Sequence, residues 1–132
     1  MLNQINTFIE NYLSIYLCGF RKGFSPQHCI LIMIENMKKC VDEKGVAGAV
    51  LTDLSKAFDC LNYDLLIAKL NAYGFNYHAL KFIMDYLSRR KQRVKIDSTL
   101  SKWTDIIRGV PQGSIVGPFL FNIYINDIFL FV

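Results

Sequence analysis

Paired metal-ligand residues are missing from this 132-residue chain. Its cysteines, Cys18, Cys29, Cys40 and Cys60, form no C-x-x-C pair, and His28 and His78 stand far apart. A zinc site takes closely spaced cysteines and histidines, so none is expected. Unpaired thiols read as reduced side chains of an intracellular protein, with nucleus and cytoplasm both left open. Charge is also scarce: 20% of residues are charged against 52% hydrophobic, which excludes a disordered chain. No long apolar run is present either. The first ten residues mix polar and apolar positions, so no secretory leader is read there. Residues 115–132 are apolar, but Pro118, Asn122, Asn126 and Asp127 interrupt them. A spanning helix needs about 20 mostly apolar residues, so a buried helix is expected and no membrane partner. There is no internal repeat, low-complexity tract or linker, and the length fits one domain.

What is present is apolar and mildly basic. Mean hydropathy is +0.24, high for a soluble domain, which suggests surfaces that face other protein. Net charge is +4, and Arg89, Arg90, Lys91, Arg93 and Lys95 fall close together. Apolar positions at helical spacing predict a first helix over residues 5–17. Ser25 and Pro26 open a second one with Ile30, Met33, Ile34, Met37 and Val41 as its stripe. Residues 46–54, V-A-G-A-V-L-T-D-L, are short, apolar and bounded by Gly45 and Ser55. That pattern suits a central strand covered on both faces; a buried helix competes, but length and β-branching favour the strand. Asn62 and Asn76 are the expected caps of two further helices, the first with Leu66, Leu70 and Tyr73 on one face and closed by Gly74, the second with Leu80, Ile83, Met84 and Leu87 inside. Gln92 to Asp97 alternates as a half-exposed strand, Arg93 and Lys95 one way and Val94 and Ile96 the other, and Trp103 to Arg108 returns as its partner. Residues 109–113 make a tight loop, and Ser114 caps a last helix with Pro118 in its first turn. The order of elements is an α+β pattern.

Four places could carry chemistry. Asp53 is expected near the carboxyl end of a buried strand, where a bare carboxylate is expensive unless it is paired, hydrogen-bonded or bound to metal. Mg²⁺ takes such oxygens, although a structural turn cap is the commoner role for an aspartate. Five positions on stands Phe58, which reads as core or as an aromatic against a sugar. In G-V-P-Q-G-S, residues 109–114, the glycines admit close backbone approach and the following helix N-terminus favours phosphate. Gln112 offers a donor and an acceptor; an ordinary tight turn is the alternative. The basic run at residues 89–95 either complements a helix C-terminus or contacts a phosphate backbone.

The motifs combine. L-T-D-L-S-K-A-F-D-C-L-N-Y-D-L-L, residues 51–66, resembles motif A of non-LTR, LINE- and Jockey-like reverse transcriptases. R-G-V-P-Q-G-S-I-V-G-P-F-L-F-N-I-Y-I-N-D-I, residues 108–128, resembles their motif B. C-G-F-R-K-G-F-S, residues 18–25, looks like the fingers motif that precedes motif A, and residues 86–96 with Trp103 match the connecting hairpin. The resemblance covers nearly the whole chain from Gly19 onward.

The resemblance implies part of a right-hand polymerase, with residues 1–45 on the fingers side and residues 46–132 in the palm. It implies that Asp53 is the first catalytic carboxylate and a Mg²⁺ ligand. Phe58 would select deoxyribonucleotides, and Pro111, Gln112 and Gly113 would line the incoming nucleotide and template. Arg21, Arg89, Arg90, Lys91 and Arg93 would approach nucleic acid. The implied partners are an RNA template, a DNA primer and dNTPs. The implied reaction is attack of a primer 3′-hydroxyl on the α-phosphorus of a dNTP, with two metal ions on the attacking and leaving oxygens. The sequence also departs from the pattern. It holds no Asp-Asp pair, so it is expected to stop before motif C and to be inactive alone. Asn62 and Tyr63 replace the usual acidic residue and His, and Phe24 replaces a basic or polar residue. A non-catalytic nucleic-acid-binding remnant is the alternative. An aspartyl phosphatase is poorly supported, because Ser55 stands where its D-x-D-x-T pattern needs a second Asp. A palm sheet without motif C would leave the 46–54 strand with an unpaired apolar edge prone to aggregation.

Overall fold

In a computed structural model of the chain, residues 2–131 are described; Met1 and Val132, the ends of the expected domain, lie outside them. The helices are α1 (Leu2–Glu10), α2 (Pro26–Asp42), α3 (Tyr63–Ala72), α4 (Tyr77–Leu87) and α5 (Val116–Ile125), the last running into a 3-10 helix (Asn126–Phe131). The strands are β1 (Arg90–Gln92), β2 (Lys95–Ile96), β3 (Thr99–Leu100) and β4 (Thr104–Ile106). This is the expected α+β mixture, with little sheet.

Local chemistry accounts for most boundaries. The Asn62 side chain accepts from the Leu65 amide at 3.0 Å, and Asn76 accepts from Ala79 at 2.9 Å. Each satisfies one of the amides left unpaired in a first helical turn. Past α3, Gly74 sits at φ 88° while the Phe75 amide returns to the Leu70 carbonyl, as a glycine-terminated helix does. Pro26 starts α2 as expected, and His28 Nδ1 accepts from the Ser25 amide at 3.1 Å. Ser114 Oγ accepts from the Gly117 amide at 2.9 Å, but the N-cap position of α5 falls one residue later than expected, at Ile115.

The core is built on α3 and α5. Leu61, Leu66, Leu70, Leu87, Leu120 and Ile123 are fully buried, joined by Ile9, Leu13, Leu17, Ile83 and Val110. Burying such a side chain stabilises by roughly 1.5–3 kcal/mol. Two asparagines are buried among them. Asn126 Oδ1 accepts from the Ser14 amide at 2.7 Å, and its Nδ2 donates to the Tyr12 carbonyl and the Tyr73 hydroxyl. Asn122 Nδ2 donates to the Gly19 carbonyl at 2.8 Å. These bonds tie the loop after α1 to the end of the chain.

The structure corrects three expectations. Residues 46–54 form no central strand: among the described residues they have neither helix nor strand, and all are exposed, Val46 by 96% and Leu51 by 90%. A covered strand needs neighbours on both edges and both faces, and none of the described strands pairs with this segment. The expected unpaired strand edge therefore does not exist. The first helix ends at Glu10 rather than Leu17, because the backbone turns to bring Leu13 and Leu17 into the core and residue 14 to Asn126. The hairpin is interrupted. Gln92 pairs with Thr104 and Lys95 with Leu100, so two residues on one strand face three on the other. Val94 and Ile96, expected on its covered side, are 61% and 68% exposed. Among the described residues no helix is long and apolar enough to cross a membrane.

Candidate nucleotide cleft

Two loops far apart in sequence are fastened together. The Gly109 amide donates to the Leu61 carbonyl at 2.9 Å and the Val110 amide to the Phe58 carbonyl at 3.0 Å. The approach demands glycine. Gly109 has φ 79°, and a Cβ there would stand 2.7 Å from the Asp59 Cα and 2.8 Å from its carbonyl oxygen. A second clasp lies behind it. The Tyr63 hydroxyl donates to the Gly109 carbonyl at 2.9 Å, and Arg90 donates to that same carbonyl, to Tyr63 Oη at 2.5 Å and to the Leu87 carbonyl at 2.8 Å. The tyrosine at the departing motif A position thus holds the motif B loop in place.

The fastening opens a cleft of about 490 Å³. Phe58, Pro111, Gln112 and Gly113 line it together, as do Phe20, Lys56 and Asp59. Phe58 packs between Phe20 and Phe121, with ring centroids 5.7 and 4.6 Å away. Its position is therefore fixed by the core. Gly113, at φ 74°, has open space where a side chain would begin, while Gly117 and Pro118 bring the first turn of α5 to the wall. A helix N-terminus and the Lys56 ammonium both favour an anion here. Lys56 and Phe20 were not singled out from the sequence. The only signal for Lys56 was its place inside motif A, two residues before Phe58.

The other expected site residues lie elsewhere. Asp53 is in the exposed 46–54 segment and is not among the described residues lining the cleft. The desolvation argument for a metal there falls with the strand. Among the described residues no three acidic, histidine or cysteine side chains gather as a metal centre. One carboxylate does not make a two-metal site. The Arg21 guanidinium is engaged internally, its side chain only 6% exposed. It donates to Glu10 at 2.9 and 2.5 Å and to the Ser14 and Leu17 carbonyls, and it stacks on Phe24 at 4.1 Å. Arg90 is occupied by the clasp. Arg89, Lys91 and Arg93 are exposed along the hairpin.

Comparison with known proteins follows the same motifs. Residues 1–131 match the family model described as reverse transcriptase (RNA-dependent DNA polymerase). The chain is 30% identical over 128 residues to the probable RNA-directed DNA polymerase from transposon BS of Drosophila melanogaster, covering 96% of this chain and 14% of that protein. It is 28% identical over 129 residues to the RNA-directed DNA polymerase from mobile element jockey of Drosophila funebris, again 96% of this chain and 14% of the relative. A retrovirus-related Pol polyprotein from the type-1 retrotransposable element R2 of Popillia japonica matches at 27% over 99 residues, 74% of this chain and 16% of the relative. The chain thus spans about a seventh of the length of the curated relatives it matches most fully.

Proposed function

This chain belongs to the reverse transcriptase (RNA-dependent DNA polymerase) family, and on that premise we propose that it supplies the nucleotide-binding floor of an RNA-directed DNA polymerase. The observation that carries the reading is the fastening of the 58–61 and 109–110 loops, which gathers Phe58, Pro111, Gln112 and Gly113 in one cleft. In this reading residues 1–45 are fingers-side and residues 46–132 belong to the palm. Phe58, held by two aromatic rings, packs against the sugar of a dNTP and leaves no room for a 2′-hydroxyl. Gln112 presents a donor and an acceptor to the base or sugar edge. Lys56 and the α5 N-terminus attract the triphosphate. Asp53 is the one residue we assign to Mg²⁺, which prefers a carboxylate together with nucleotide phosphate oxygens. With a full ligand set, a bound Mg²⁺ would supply activation and charge neutralisation for nucleotidyl transfer from dNTP to a primer 3′-hydroxyl on an RNA template. Arg89, Lys91 and Arg93 face the nucleic acid; Arg21 and Arg90 hold the scaffold instead.

With Asp53 as the one carboxylate assigned to metal, we infer that the 132-residue chain does not extend a primer by itself. A nucleic-acid-binding role without catalysis is the second reading, favoured by the exposed basic hairpin. Photocrosslinking of a labelled dNTP to the purified chain tests the cleft. Labelling should map to residues 109–118, should be competed better by dNTPs than by NTPs, and should fall in Gln112→Ala. Labelling elsewhere, or equal labelling of that variant, overturns the assignment. Primer extension on an RNA template with dNTPs and Mg²⁺, beside Asp53→Ala, tests the catalytic statement. Incorporation that disappears in the variant would show that another carboxylate completes the site.

A further inference from the structure

The hairpin carries an open aromatic ring in a basic setting. Every residue from 91 to 105 is exposed, and Trp103 is 58% exposed. The Arg93 guanidinium lies 4.5 Å from the centre of the Trp103 ring. This pair sits in the interruption of the ladder, between Gln92↔Thr104 and Lys95↔Leu100. Extra residues at such a point re-aim side chains away from the regular pleat. The interruption is itself fastened: the Ser101 amide donates to the Val94 carbonyl at 2.9 Å, and the Val94 amide donates to Ser101 Oγ at 2.9 Å. Lys102 and Lys95 flank it. Of the two hairpin carboxylates, Asp105 is 3.5 Å from Lys91, which leaves Arg93, Lys95 and Lys102 against Asp97.

We infer that Trp103, braced by Arg93 and flanked by Lys95 and Lys102, is a stacking platform for one unpaired base of single-stranded RNA. Aromatic rings stack on any base while nearby cations follow the phosphates, and the arginine on one face leaves other indole surface open. An apolar protein partner would have to strip water from three cations to reach the same ring, which disfavours it. The choice of RNA rests on the polymerase reading above; the platform itself does not.

Trp103 is the chain's single tryptophan, so its fluorescence reports the site directly. Titration of the full chain with a short uridine oligonucleotide should quench it saturably, in step with anisotropy of the labelled RNA. Trp103→Ala should weaken binding about tenfold, toward the low end for loss of one base stack, and Trp103→Phe should restore most of it. Arg93→Glu should reduce the slope of log affinity against log salt by about 0.7 for each phosphate the chain no longer neutralises. Thermal melting of the variants should match the parent chain, since the ring is exposed. RNA binding without quenching, no binding at low salt, or quenching that follows protein concentration without RNA each overturns the inference, the last by showing self-association. Gln112→Ala should keep the quenching while losing dNTP labelling, so failure at the cleft and failure at the hairpin are told apart.

Discussion

The residues that carry the family motifs fall in regions with opposite packing. Around α3 and α5, Leu61, Leu66, Leu70, Leu120 and Ile123 are wholly buried. In α2 and the segment after it, residues of the same chemistry lie open: Ile30 is 50% exposed, Leu31 57% and Val50 91%, and α2 buries none of its described residues. Composition does not separate the regions. What separates them is whether another element lies against the apolar face. Motif B and the second half of motif A, from Phe58 onward, sit on the packed side. Asp53 sits on the open side, five residues away. The residues proposed to face a nucleotide therefore rest on a packed support, whereas Asp53, proposed as a metal ligand, does not.

Mutations on the two sides should differ accordingly. Leu120→Ala removes a fully buried side chain and should cost about 2–5 kcal/mol in urea unfolding. Ile34→Ala on α2, 39% exposed in the parent, should stay within roughly 0.5 kcal/mol. Equal effects would mean that α2 is packed in solution and would erase the comparison. Gly109→Ala forces a Cβ to 2.7 Å from the Asp59 Cα at a positive φ. It should destabilise by about 1–3 kcal/mol, as overpacking does, and should also reduce dNTP labelling, because the loops part. Asn126→Ala breaks bonds to Ser14, Tyr12 and Tyr73 and should cost about 1–3 kcal/mol while leaving labelling intact. Among the variants of the packed side a smaller loss is expected for Tyr63→Phe, about 0.5–1.5 kcal/mol, since Arg90 still holds the Gly109 carbonyl. Limited proteolysis sharpens the same contrast: the first cuts should fall in residues 45–56 and not in α3 or α5.

Some of this was legible from residues alone. Asn62, Asn76, Ser25 with Pro26, and Gly74 marked helix boundaries, because capping depends on one side chain and the few amides beside it. Leu66, Leu70, Ile83 and Leu87 were readable as inward positions, because helical spacing puts them on one face. Phe58, Pro111, Gln112 and Gly113 were named together from their motifs, and the cleft does gather them. The 46–54 strand was misread because strand pattern states only what a segment could cover, while pairing needs a neighbour that pattern does not supply. Val94 and Ile96 failed similarly: alternation gives two faces but not which one is covered. Arg21 was read as a nucleic-acid contact from the resemblance and Arg90 from the basic run, yet their partners, Glu10 in one case and Tyr63 with Gly109 in the other, come from distant positions.

The sequence by itself determined the family, most of the helix caps and the grouping of Phe58, Pro111, Gln112 and Gly113, since each is written in short motifs or fixed spacings. Only the tertiary structure decided that Gly109 closes against Asp59, that Tyr63 and Arg90 clasp its carbonyl, that Asn126 anchors the loop after α1, and that Asp53 stands in the open. Those outcomes depend on which distant backbone groups arrive within hydrogen-bonding reach, a matter of chain path that local residue chemistry leaves free.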